Sequence, residues 1–104
     1  MSNEITLAEA ITMTHAYQND PLFAGQTIAA KLNNASYLEI INQPGCVEVR
    51  TYFAKDAAGA LTLVAVGVDG NGNDMTSGKI MNRFKHCPVT CAQNSPLMKD
   101  GIDY

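Results

Sequence analysis

Apolar positions recur at helical spacing from Leu7 through Ala10, Ile11, Thr14 and Tyr17, marking one buried stripe of an α-helix. Thr6, followed three positions on by Glu9, has the capping-box arrangement in which hydroxyl and carboxylate reciprocally satisfy free amide groups. Ile5 stands where a hydrophobic staple onto Ala10 would start. Asn19-Asp20-Pro21 ends the pattern, because a residue before proline is pushed from helical dihedrals. The spacing predicts a helix over 7–18. Residues 21–33 are ambiguous: Thr27 to Leu32 admits two readings, a helical turn or a short extended piece, with Ala29 and Ala30 weighing slightly toward helix. Asn33-Asn34 reads as the cap of a second helix over 34–42, with Tyr37, Leu38 and Ile41 along one side and Gln43-Pro44-Gly45 as its stop.

The period then switches from helical to alternating. Cys46 to Ala54 alternates, Asp56-Ala57-Ala58-Gly59 has Asp first and Gly fourth, and Leu61 to Val68 is rich in β-formers. A hairpin of 46–54 and 61–68 follows. Pairing Lys55 with Ala60 sets Val47 against Val68, Val49 against Val66, Thr51 against Val64 and Phe53 against Thr62. That register makes one face almost wholly apolar and predicts that it packs on the helices. It leaves Glu48, Arg50 and Tyr52 on the other face, across from Gly67, Ala65 and Leu63.

Asp69-Gly70-Asn71-Gly72-Asn73-Asp74 reads as a compact polar loop. Ile80, Met81 and Phe84 mark a short further element, and residues 92–104, lacking any period, read as an extended tail. The expected fold is α+β in a single domain over 1–104. One or two N-terminal helices pack on one face of an antiparallel hairpin or meander.

Composition narrows the function classes. The chain has 104 residues, 46% of them apolar and 16% charged, which suits a folded core and argues against disorder. A net charge of −3 with a pI near 5.1 gives no bulk positive field for nucleic acid or an anionic membrane. The longest apolar stretch, Leu61 to Val68, is far short of the roughly 20 residues a membrane span needs. Met-Ser-Asn-Glu-Ile-Thr shows neither a basic nor an apolar signal region, so a cytoplasmic location is expected, with reduced thiols rather than the local Cys87–Cys91 disulfide that an oxidising compartment would allow.

The runs Gln43-Pro44-Gly45-Cys46, Arg50 with Tyr52, Val66-Gly67-Val68-Asp69, Gly72-Asn73-Asp74-Met75 and Cys87-Pro88-x-x-Cys91 resemble a group of small bacterial hypothetical proteins. The resemblance covers about the C-terminal two thirds of the chain. It implies a single small domain and brings no catalytic residue with it.

Candidate chemistry is sparse. Asp69, Asn71 and Asn73 place oxygens at the first, third and fifth loop positions, as a calcium loop does. The sixth position is Asp74 rather than glycine and the twelfth is Ile80 rather than glutamate, so a tight turn is the stronger reading. Cys87 and Cys91 form one knuckle-like pair that Cys46 would join at a metal, yet zinc sites usually show two such pairs. Inert packing is the leading reading of Cys46. His15 and His86 form no triad spacing with a nucleophile, which weighs against an enzyme. Lys79, Arg83, Lys85 and His86 read as a solvated basic cluster.

Glu48, Arg50 and Tyr52 remain as the binding-surface candidates. Opposite Ala65 and Gly67 they would border a shallow depression that a partner, or Pro96, Leu97 and Met98 of the tail, would fill. The alternative there is an exposed Glu48–Arg50 pair with Tyr52 lying over Leu63. The functional expectation is a small soluble interaction module, self-associating or bound to a protein partner, with no cofactor. The alternative is a metal-stabilised or cysteine-dependent protein using Cys46, Cys87 and Cys91.

Overall fold

A computed structural model describes residues 3–82, 84–87 and 95–99. Helix α1 spans Leu7–Asn19. Its capping box is formed on both sides: the Glu9 amide donates to Thr6 Oγ1 at 3.1 Å and the Thr6 amide to the Glu9 carboxylate at 3.0 Å. Asp20 then caps a one-turn 3-10 helix over Pro21–Phe23, accepting from the Leu22 amide at 2.9 Å. Strand β1 is Ala29–Lys31, so Thr27 to Leu32 is the extended piece, against the slight lean of Ala29 and Ala30 toward helix, because pairing with a partner strand outweighs that weak propensity.

Helix α2 spans Asn34–Ile41, capped by Asn33, whose side-chain oxygen accepts from the Ser36 amide. Gly45, at φ +86°, turns the chain into β2, and the Cys46 amide closes that turn on the Gln43 carbonyl. Strand β2 (Cys46–Lys55) pairs antiparallel with β3 (Leu61–Asp69), and β4 (Ile80–Met81) lies along the far side of β3. Strand β5 (Lys85–Cys87) returns to pair with β1. The result is an α+β fold of two helices with antiparallel strands.

The hairpin register differs from the predicted one by a residue. Lys55 pairs with Leu61, Tyr52 with Val64, Arg50 with Val66 and Val49 with Gly67. The cause lies in the turn. The Asp56 amide donates to the Ala60 carbonyl at 2.9 Å, so Asp56 belongs to the ladder and only Ala57–Gly59 form the loop. Gly59 at φ +85° completes this three-residue connection, in which a type I turn ends in a left-handed residue. One residue fewer in the loop moves every side chain of β2 to the other side of its β3 partners.

Val64, Val66 and Val68 therefore share a face with Arg50 and Tyr52, whereas Val49 and Phe53 share the other with Gly67, Ala65 and Leu63. Alternation could not arbitrate, because β3 is a central strand buried on both sides: Ala65, Val66, Gly67 and Val68 are all buried. A bulge between Cys46 and Glu48 returns the ladder to the predicted offset only at Cys46↔Asp69.

Of the two helices, α2 packs on β2 and β3 and fully buries Ile40. Helix α1 fully buries none of its residues, but Ala10, Ile11, Thr14 and Tyr17 of the predicted stripe are half-buried and only Leu7 is exposed. Polar links add to this contact. Tyr17 donates to the Thr27 carbonyl at 2.9 Å, and Thr27 Oγ1 donates to the Leu61 carbonyl on β3 at 2.8 Å. Of the predicted tail, residues 95–99 form a turn against α1, where Gln18 donates to the Leu97 carbonyl and accepts from the Lys99 amide. The rest of that tail lies outside the described residues.

Candidate interaction surface

Arg50 and Tyr52, two apart on β2, point to the same face. Both reach across β3 to Asp74, which bridges Val68 from the other side: Arg50 forms an ion pair with one carboxylate oxygen and Tyr52 donates its hydroxyl to the other. The Arg50 guanidinium is held above its ordinary pKa, first by the Tyr52 hydroxyl and then by the Asp74 carboxylate. These two side chains therefore act within the molecule. Val64 and Val66, not Leu63 and Ala65, lie opposite Tyr52 and Arg50, so the expected depression is replaced by a polar strap over half-buried Val64 and buried Val66. Glu48 sits beside the strap and is exposed. Pro96 and Leu97 bond to His15 and Gln18 on α1 instead of filling that face.

The polar loop is a second copy of the 56–60 turn. Asp69 Oδ1 accepts from the Asn71 and Asn73 amides, as Asp56 Oδ1 does from Ala58 and Ala60. Gly72 takes the left-handed position at φ +82°, as Gly59 does. Asn71 and Asn73 thus contribute backbone amides to Asp69, and the segment turns β3 back on itself.

The two described cysteines, Cys46 and Cys87, lie in different sheets. Cys46 is a free thiol on β2, whereas Cys87 is disulfide-bonded on β5, in the other sheet; Cys91 lies outside the described residues. A disulfide sulfur offers no thiolate to a metal, and the bond departs from the reduced state expected of Cys87. Among the described residues, no three His, Cys, Asp or Glu gather in a metal-binding group.

What the sequence did not indicate is an open apolar surface. The 3-10 turn throws Leu22 and Phe23 outward, Phe23 stacks on Tyr17 with ring centroids 4.7 Å apart, and Phe53 and Leu61 close the opposite wall. Together they line a groove of about 570 Å³, which continues along Leu63 and β1 as a depression of about 270 Å³. Leu22 and Phe53 are 82% and 83% exposed, unusual for residues of this size. The signal was present in Phe53, but the shifted register assigned that side chain to the core.

Among the described residues, Phe53 also marks an unpaired strand edge. In the strand order β2-β3-β4, β2 is an outer strand ten residues long, whereas β4 at the other edge has two. Comparison of the chain with family models, curated proteins and solved structures finds no match. Among the described residues no helix is long and apolar enough to cross a membrane.

Proposed function

We propose that this protein is a small protein-binding module that presents the outer edge of β2, together with the adjoining apolar groove, to another polypeptide. The observation that carries the reading is Phe53, almost fully exposed at the point where the open edge meets the groove. An extended edge supplies unpaired amide and carbonyl groups for main-chain hydrogen bonds, and an adjacent apolar groove supplies side-chain selectivity. Tyr17, Phe23 and Phe53 are of the aromatic type that anchors interfaces. Arg50 and Tyr52 support the module differently: the Arg50–Asp74–Tyr52 strap braces the sheet whose edge is offered.

The experiment is binding of an environment-sensitive apolar dye to the folded protein. Fluorescence should rise on binding to the wild type and fall sharply in the double variant Leu22→Ser, Phe53→Ser, with the circular dichroism spectrum of the folded protein retained. A wild type that binds no dye, or a double variant that binds it equally well, would overturn the reading.

A further inference from the structure

We infer that the occupant of the β2 edge is a second copy of this chain, paired antiparallel about a two-fold axis through Thr51; the inference rests on the binding-module reading above. The argument starts from which backbone groups point outward. The Asp56–Ala60 hydrogen bond fixes the alternation of the ladder, so Ala54, Tyr52 and Arg50 bond inward to β3, while Phe53, Thr51 and Val49 aim amide and carbonyl outward. Two bonds on β3 agree with this phase. The carbonyls of Gly67 and Leu63, opposite Val49 and Phe53, accept from the Met75 amide and from Asn82, on the side away from β2.

Outward groups at alternate positions permit only those symmetric pairings that set 49, 51 and 53 against one another. With the axis at Thr51, that residue faces its own mate and Val49 faces Phe53 of the other copy. Each pair then exchanges both main-chain hydrogen bonds. The side chains agree: Thr against Thr and an aromatic against a β-branched residue are favourable cross-strand pairs. Arg50 falls opposite Tyr52, Glu48 opposite Ala54 and Lys55 opposite Val47, so no like charges meet. A slip of two residues one way sets Arg50 against its own mate, and the other way sets Glu48 against Asp56. A larger slip toward Cys46 runs into the bulge before Glu48. A slip of four residues the other way pairs only 51–55 and sets Val49 against Ala57 in the loop, so the Thr51 register gives the longest ladder, in a continuous six-stranded antiparallel sheet.

The test combines sedimentation with site-directed cross-linking on the full chain. Wild type should sediment at twice the chain mass at high micromolar concentration. Thr51→Lys, which sets two ammonium groups face to face at the axis, should sediment as a monomer. Thr51→Cys should form a reducible covalent dimer under mild oxidation, because hydrogen-bonded partners lie about 5.5 Å apart between Cα atoms, within disulfide reach. Glu48→Cys, far from its symmetry mate, should cross-link no more than wild type, which carries the same free Cys46. Should Thr51→Lys fail to fold, the cross-linking pair decides alone. A dimer in which Glu48→Cys links as readily as Thr51→Cys overturns this register. A wild type that is monomeric throughout overturns the dimer; dye binding lost in Leu22→Ser, Phe53→Ser would then leave the module reading standing, and absence of dye binding would remove both.

Discussion

Gln43 and Gly78 touch so closely that only glycine fits: a Cβ at position 78 would lie 2.1 Å from Gln43 Oε1. Gln43 cannot easily yield. Its amide nitrogen donates to the Ile40 carbonyl at 2.9 Å, and its oxygen accepts from the Lys79 amide at 2.8 Å. This one side chain ties the end of α2 to the segment leading into β4. Gly78→Ala should therefore cost about 1–3 kcal/mol, the range for overpacking with loss of hydrogen bonds. In combination with Gln43→Ala the two effects should be clearly less than additive, as a double-mutant cycle by thermal unfolding would measure. Additive effects would mean that the pair does not interact.

Val66 and Phe53 distinguish the two hairpin registers. Val66 is buried and Phe53 almost fully exposed. Val66→Ala should cost about 1–3 kcal/mol through lost transfer energy and a residual cavity, and Val66→Asp should prevent folding by burying an unpaired carboxylate. Phe53→Ala should leave monomer stability within about 0.5 kcal/mol, as for other surface changes. Comparable losses at both positions, read from urea midpoints, would favour the alternative register.

The Arg50–Asp74–Tyr52 strap is partly solvent-accessible, with Arg50 and Asp74 side chains 45% and 20% exposed. Screening keeps such pairs weak. Asp74→Asn should lower the melting temperature by a few degrees at low salt. The difference from wild type should shrink as ionic strength rises and the Debye length falls. A gap that is independent of salt would assign the effect to the Tyr52 hydrogen bond alone.

Glu9 sets an acid limit on α1. Its pKa is lowered by the Thr6 backbone amide and then by the Thr6 hydroxyl. A depressed carboxyl stabilises the fold above the unfolded glutamate value, roughly 4.3, and that contribution fades as pH falls through the lower folded value. Helicity of α1, followed by amide chemical shifts of Leu7 to Ala10, should decline over that acid range in wild type. In Glu9→Gln the same decline should be absent. An identical pH profile in both proteins would place the acid sensitivity elsewhere.

Local chemistry was legible in the sequence wherever its partners lie within a few residues. Thr6 with Glu9 marked the start of α1, Asn33 that of α2, Gly45 the turn into β2, and Asp56 with Gly59 the hairpin turn. Each works through hydrogen bonds or dihedral preferences of neighbouring residues, so the sequence contains both partners of the interaction. Only the tertiary structure decided the rest. Whether Asp56 joins the ladder depends on a single amide bond to Ala60, and β3, apolar on both sides, offered no polar face to correct the count. Asp74 reads as a loop residue until β3 brings it opposite Val68 and within reach of Arg50, 24 positions away. Helix α1 shows the converse: its apolar spacing marked the inward side, where Ala10, Ile11, Thr14 and Tyr17 are half-buried, but periodicity states which side chains share a face, not how deeply that face packs.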